Sequence, residues 1–312
     1  MSFIRVIGAN GQLARALAEQ AGHRALRCLG RPEIDFDAPD SLPATLDAML
    51  RADPPSLVVN AAAYTAVDRA ETEPEAAARA NHHGPASLAA ACARAGIPLI
   101  HVSTDYVFDG LKGAPYVETD ETRPSGVYGA TKLAGEQDVL AACPQAMVLR
   151  TSWVYGAQGR NFVLTLLGAA ARTDTLRVVA DQLGCPTAAP DLADAILGIA
   201  DRLAATGWQP GYGGVFHAAG AGSASWHGLA TALFDAAAAH GMARPTIIPI
   251  TTADWPTPVR RPPDSRLDCT RLAETFGLRL PHWQATLPGI VGRVFAADPP
   301  AARPLAADAR AR

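Results

Sequence analysis

Aromatic residues are scarce in this chain, at 6% of 312 positions. Aliphatic side chains and alanine therefore build most of any core, and the hydrophobic total of 49% is ample for one. No apolar run reaches the roughly 18–20 residues of a membrane span, which excludes a helical membrane protein. The opening stretch Met1–Gly8 is too short in its apolar part for a secretory signal and reads as a first strand. Basic charge is not in excess. Lys plus Arg is 27 against 30 Asp plus Glu, a net charge of −3, which does not fit a binder of nucleic-acid polymers or anionic membranes. The five cysteines (Cys28, Cys92, Cys143, Cys185 and Cys269) form no CxxC pair and no cluster with zinc spacing. They read as free thiols in a reducing cytoplasm, and no metal site is expected. There is no internal repeat.

The first half alternates between two periods. Phe3–Ile7, Ala25–Leu29, Ser56–Val59, Leu99–Ser103 and Ala146–Arg150 read as strands. Gln12–Ala21, Ser41–Arg51, Glu73–His83, Pro85–Ala95 and Val127–Ala141 read as helices. Such alternation implies βαβ crossovers and an α/β fold, a doubly wound parallel sheet covered on both faces. The second half is less regular. Helices are expected over Phe162–Arg172, Asp191–Ala204 and Gly228–His240, and a strand over Val215–Ala218. Thr252–Pro263, rich in Pro and Arg, reads as a surface loop, and residues 297–312 as a disordered tail.

Gly8-Ala9-Asn10-Gly11-Gln12-Leu13-Ala14 joins the first strand to the first helix. Small residues there let backbone N–H groups approach a pyrophosphate, and the helix N-terminus favours its charge. The end of the second strand reads the adenosine ribose, with an acid for NAD or an arginine for NADP. Arg27–Arg31 holds no acid. Arg31 is a candidate partner for a 2′-phosphate or a solvated surface arginine, so NADP(H) is the first choice of cofactor and NAD(H) the alternative.

Tyr128 and Lys132 are spaced i, i+4 and share a helix face. A phenol titrates near pH 10, and a neighbouring ammonium lowers that value, so the pair suits proton exchange with a carbonyl or carbinol oxygen. Ser103-Thr104-Asp105 closes a parallel strand at the edge where α/β sheets bind ligands. Thr104 can align a reacting oxygen with Tyr128, or simply cap the next turn.

These blocks, together with Asn60–Asp68, Ser103–Gly110, Tyr128–Glu136, Arg150–Gly156, Asp181–Thr187 and Arg261–Asp268, resemble the dTDP-4-dehydrorhamnose reductase family of extended short-chain dehydrogenase/reductases. The resemblance spans roughly residues 3–295. It implies hydride transfer from NADPH or NADH to C4 of dTDP-4-dehydro-β-L-rhamnose, giving dTDP-L-rhamnose. By the same resemblance Tyr128 is the general acid, Lys132 tunes it and holds the nicotinamide ribose, and Thr104 bonds the reacting oxygen. The cofactor is expected on Gly8, Asn10, Gly11, Gln12 and Leu13, on Arg31, Asp35 and Phe36, on Ala61, Ala62, Ala63 and Thr65, and on Tyr128 and Lys132. The substrate is expected on Thr104, Asp105, Tyr128 and Trp153, although Trp153 also reads as a core aromatic and Asp35 as a turn residue. One of Arg260, Arg261 and Arg266 suits a diphosphate, or the three form a solvated basic loop.

Some relatives are thought to dimerise through magnesium held by carboxylates near the first helix. Here Arg15 and Ala16 stand there, Pro190 stands in the second such region, Thr187–Asp191, and only the acids Glu19 and Asp191 lie nearby, so no structural metal is expected, and the chain is expected to be a monomer or homodimer in the cytoplasm. The cofactor domain is expected at 1–152 and 186–218, and the substrate region at 153–185 and 219–296. Other readings are an epimerase or dehydratase of nucleotide sugars, or a non-catalytic regulatory subunit resembling the methionine adenosyltransferase β subunit.

Overall fold

Four-residue apolar runs are too short to be amphipathic helices, and they pair side by side into a sheet buried on both faces. In the computed structural model, which describes residues 3–297, six parallel strands form that sheet. They are β1 (Ile4–Ile7), β2 (Leu26–Leu29), β3 (Leu57–Asn60), β4 (Leu99–Thr104), β5 (Ala146–Thr151) and the strand Gly214–His217. The order is β2-β1-β3-β4-β5 followed by Gly214–His217 at the far edge. The chain reverses direction across the sheet between β1 and β3, and the crevice beyond their carboxyl ends is where such folds bind ligands.

Alternation along each strand divides two cores. Ile4, Val6, Leu57, Val59, Ile100, Met147 and Leu149 point to one face, under the helices Gln12–Gln20 and Ala189–Thr206. Ile7, Val58, Leu99, Ala146 and Val148 point to the other, under Leu42–Ala52, Gly84–Ala95 and Val127–Ala142. On that second face the apolar pattern stops at the carboxyl end. Asn60, His101, Ser103 and Arg150 continue the same side-chain rows, and all four are buried.

A third core lies outside the sheet. Tyr155, Val163, Leu167, Leu229, Phe234, Trp283 and Leu287 enclose it, beside a parallel pair formed by Thr175–Val179 and Thr246–Ile250. The helix Thr270–Phe276 does not join that core. Its Leu272 and Phe276 pack into the sheet side with Phe216 and Ile196.

The structure corrects two expectations. Glu73–His83 is not one regular helix: Pro74–Ala78 is α-helical, and Arg79–His83 widens into a π turn before Gly84–Ala95. There the Asn81 carbonyl seats against Gly135, where a Cβ would lie 2.0 Å from it. Thr252–Pro263 is not wholly surface. Val259 and Pro262 are buried, packed against Gly126 and Gly110. The expected disordered tail, 297–312, lies almost wholly outside the described residues.

Candidate active site

The loop after β1 needs glycine at its first position. Gly8 has φ +111°, and a Cβ there would lie 2.8 Å from the Ala62 nitrogen. With no side chain in the way, the loop after β1 closes against the loop after β3. Between them opens a cleft of about 280 Å³, lined by Gly8, Asn10, Gly11, Arg31, Asp35, Phe36, Ala61, Ala62 and Ala63 among others. The N-terminus of the helix Gln12–Gln20 adjoins it, and Gly11 caps that helix without a side-chain bond. A narrow cleft walled by small residues and backbone N–H groups fits the pyrophosphate and adenosine of a dinucleotide.

Five residues expected on the cofactor do not line this cleft: Gln12, Leu13, Thr65, and Tyr128 and Lys132, which are described below. Leu13 is buried in the core below, where its place in the first helical turn directs it. Gln12 is tied across to a neighbouring loop, donating to the Arg160 carbonyl over 3.3 Å and accepting from Asn161 over 2.8 Å. Thr65 is exposed beyond the cleft's end. Arg31 is largely exposed and reaches Asp37 over 3.2 Å, and Arg79 of the π turn donates to the same carboxylate over 2.8 Å. Two guanidiniums thus converge at the adenosine end of the cleft.

Beyond β4 and β5 the expected catalytic residues come together. Thr104 is buried, and its hydroxyl donates to Asp105 over 3.0 Å. Asp105 also accepts from Ser152 over 2.9 Å, and burial pushes its carboxyl up to about 6 against the pull of Ser265, Ser152 and Thr104. Asp105 is thereby buried behind Thr104, and it supports that hydroxyl more directly than it could meet a substrate. Tyr128 sits half-buried at the start of the helix Val127–Ala142, edge-on to Tyr106. Burial drives its phenol well above the usual range, with the Thr104 hydroxyl acting the other way and Asp105 adding to the rise.

Lys132 departs from its expected part. The i, i+4 spacing puts it on the helix face of Tyr128, but its side chain runs inward to the sheet and donates to the Val102 carbonyl over 2.6 Å. Burial lowers its amine to about 8, offset in part by Glu136. The ammonium is not among the groups that set the Tyr128 phenol, so the phenol stays a protonated donor in this state.

Trp153 has φ +46°, the only described residue other than glycine with a positive value. Such backbone strain gathers at ligand sites. Its indole stacks on Trp226 with centroids 3.4 Å apart, and Phe162 tilts against the pair. Trp226 in turn donates to Gln182 over 3.1 Å. Of the basic loop, Arg261 binds Asp68 with two contacts of 2.7 Å and Arg266 binds Asp264, which leaves Arg260 exposed. Glu19 meets Arg293, and among the described residues no three His, Cys, Asp or Glu are grouped to hold a metal.

Sequence reading missed Trp226, Asn60, His101 and the buried Glu136. Glu136 takes Arg150 in a two-pronged pair, with contacts of 2.7 to 3.1 Å, and also accepts from Ser103. A visible signal existed for the strand residues. Asn60 ends an otherwise apolar strand, and His101 interrupts the middle of β4.

A doubly wound sheet, a glycine-walled dinucleotide cleft and a Tyr–Lys helix define an oxidoreductase of the short-chain dehydrogenase/reductase type. Within that class, the chain belongs to the family described as RmlD substrate binding domain, whose model matches residues 1–295. It is 45% identical over 282 residues to a dTDP-4-dehydrorhamnose reductase of Sinorhizobium fredii, covering 90% of this chain and 94% of that one. A dTDP-4-dehydrorhamnose reductase of Mycobacterium tuberculosis is 42% identical, with 90% of each chain covered. The crystal structure of the Bacillus anthracis dTDP-4-dehydrorhamnose reductase in complex with NADP superposes with a TM-score of 0.83 at 30% identity, covering 93% of this chain and 99% of that one. A UDP-glucose 4-epimerase of Thermus thermophilus shares the fold at 20% identity and a TM-score of 0.75.

Proposed function

We propose that the protein reduces the C4 keto group of dTDP-4-dehydro-β-L-rhamnose to dTDP-L-rhamnose with NADPH. The observation that carries this reading is the meeting of Thr104 and Tyr128 at the carboxyl edge of the sheet, beside the glycine-walled cleft. The reductases named above are 30–45% identical to this chain, whereas the epimerase named above is 20% identical and shares the fold alone.

The nicotinamide supplies the hydride. The chain supplies the rest. Gly8, Asn10 and Gly11 cradle the pyrophosphate, and Ala61 to Ala63 form the opposite wall. Arg31 and Arg79 present positive charge for a 2′-phosphate, which supports NADPH over NADH. Thr104, whose hydroxyl donates to Asp105 before substrate enters, turns that one donor to the carbonyl oxygen when the sugar binds. Tyr128, kept protonated by burial, releases its phenolic proton to the same oxygen as the C4 carbon gains its hydrogen. The product is then a neutral alcohol, and the phenolate regains its proton from solvent. Trp153 and Trp226 form a flat platform for the sugar nucleotide.

The division into a cofactor domain (1–152, 186–218) and a substrate region (153–185, 219–296) is supported by their two main cores, with 270–280 packing on the cofactor side and a small cluster of Val107, Phe108, Tyr116, Cys185, Ala219 and Leu267 drawn from both. The five free cysteines support a cytoplasmic setting. Among the described residues no helix is long and apolar enough to cross a membrane.

Tyr128→Phe tests the reading. Measured as NADPH oxidation with the dTDP-sugar, turnover should fall by roughly 10²–10⁴. NADPH affinity, measured by fluorescence titration, should hold. Undiminished turnover in this variant, or no NADPH consumption by the parent enzyme, refutes it.

A further inference from the structure

Beneath the Tyr128–Lys132 helix lies a hydrogen-bond chain whose donors and acceptors can be assigned one by one. Asn60 and His101 are register partners on β3 and β4. The backbone N–H of Ala62 donates to Asn60 Oδ1 over 3.1 Å, which fixes the orientation of that carboxamide. Asn60 Nδ2 is then the donor to His101 Nδ1, 3.0 Å away. His101 is fully buried, and burial holds its ring well below the usual range, with Lys132 acting in the same direction. A neutral imidazole carries one N–H, so with Nδ1 accepting, the proton resides on Nε2. That nitrogen lies 3.5 Å from Lys132 Nζ.

We infer that His101 is a positioning residue that opposes the charge on Lys132: its Nε2–H, locked by Asn60 and the Ala62 backbone, is aimed at the amine and favours the lone pair over the ammonium. An N–H facing an ammonium is a donor against a donor. The same N–H facing a free amine is a hydrogen bond. The ring cannot turn its lone pair to Lys132 without breaking the Asn60 contact, and Asn60 cannot flip without abandoning Ala62.

The surrounding charges do not undo this. Glu136, on the same helix, favours the ammonium, but its carboxylate is engaged by Arg150 from β5 and by Ser103 from β4. The π turn contributes Asn81, uncharged, and His82, whose ring meets Asp138 on the outer side. The turn after β4 brings Asp105, held by Thr104 and Ser152, and Tyr106, beside the Arg261–Asp68 pair. Burial acts in the direction of the His101 dipole, and the amine is brought down to about 8. Because the lock starts at Ala62, in the wall of the cofactor cleft, cleft and amine share one hydrogen-bond chain. That the cleft at Ala62 holds a cofactor rests on the reductase reading. The proton affinity itself does not.

The chain has two lysines, Lys112 and Lys132, so lysine labelled with ¹³C at Cε gives two resonances. Lys112→Arg removes one and assigns the other. Titrated by NMR without substrate or cofactor, Lys132 should show a midpoint near 8. His101→Gln offers the ammonium an amide oxygen in place of the N–H, and the midpoint should rise by about one pH unit or more. Asn60→Ser frees the ring to adopt the other tautomer and should raise it in the same direction. A folded His101→Gln protein with an unchanged midpoint overturns the inference. If that variant does not fold, an unchanged midpoint in Asn60→Ser overturns it equally. No NADPH oxidation enters the measurement, so its outcome is independent of whether the reductase reading stands.

Discussion

At the scale of single residues, the site is arranged around carboxyl and hydroxyl groups that burial keeps protonated or costly to charge. Asp105 is the clearest case. Its carboxyl is raised to about 6 in the fold, above its value of 3.8 in an unfolded chain. A raised acid binds more protons in the folded state between those two values. The penalty for charging it is therefore absent below about pH 4, grows through the window and is complete above pH 6. Asp105→Asn should stabilise the protein at pH 8 by about 1–2 kcal/mol, and by less at pH 5, as read by thermal unfolding. The same change should lower turnover, since Thr104 and Ser152 each donate to one carboxylate oxygen and an amide offers them a single acceptor. A variant less stable at pH 8 than at pH 5, relative to the parent, contradicts this account. Sequence spacing put Tyr128 and Lys132 on one helix face, and the end of a parallel strand pointed to Thr104. Spacing could not show that the Lys132 side chain turns inward to Val102, because helical periodicity fixes where Cβ points and not where a four-carbon chain ends.

At the scale of elements, the helix Val127–Ala142 is held at its working distance by glycine. A Cβ at Gly135 would come within 2.0 Å of the Asn81 carbonyl, and one at Gly129 within 2.2 Å of the Tyr106 carbonyl. Backbone cannot yield as a flexible side chain can. Gly135→Ala should destabilise the protein by about 2–4 kcal/mol in denaturant unfolding and should reduce turnover by shifting Tyr128. A neutral effect would show that helix and π turn are not in register as described. The first-half elements were legible because each short apolar strand is followed by a helix of clear period. The later ones were not. Leu183–Gly184, Thr187–Ala188 and Ala224–Ser225 are two residues long and carry no period at all. The helix Trp283–Ala297 includes Pro288, which disguises it in sequence. The π turn was illegible for another reason: it answers to the glycine at position 135, which lies far beyond it along the chain.

At the scale of the whole molecule, the chain passes at Trp153 from the sheet to the core outside it. The Trp153–Trp226 stack belongs to the core outside the sheet, while Tyr128 and the dinucleotide cleft belong to the sheet. Ligand contacts divided in this way should separate kinetically. Trp226→Ala should raise KM for the sugar nucleotide by roughly 2–10-fold, the worth of one aromatic stack, and leave KM for NADPH unchanged. Equal changes in both constants would place the stack elsewhere in function. The near-neutral net charge fits this layout, since anion binding falls to local backbone and paired arginines and not to a global field.

The inward course of Lys132 has a practical corollary. With that amine sealed under the helix Val127–Ala142, the remaining lysine side chain is Lys112, on a partly exposed loop. Coupling to an aldehyde or succinimidyl-ester support through a lysine side chain would therefore use Lys112, which does not line the dinucleotide cleft.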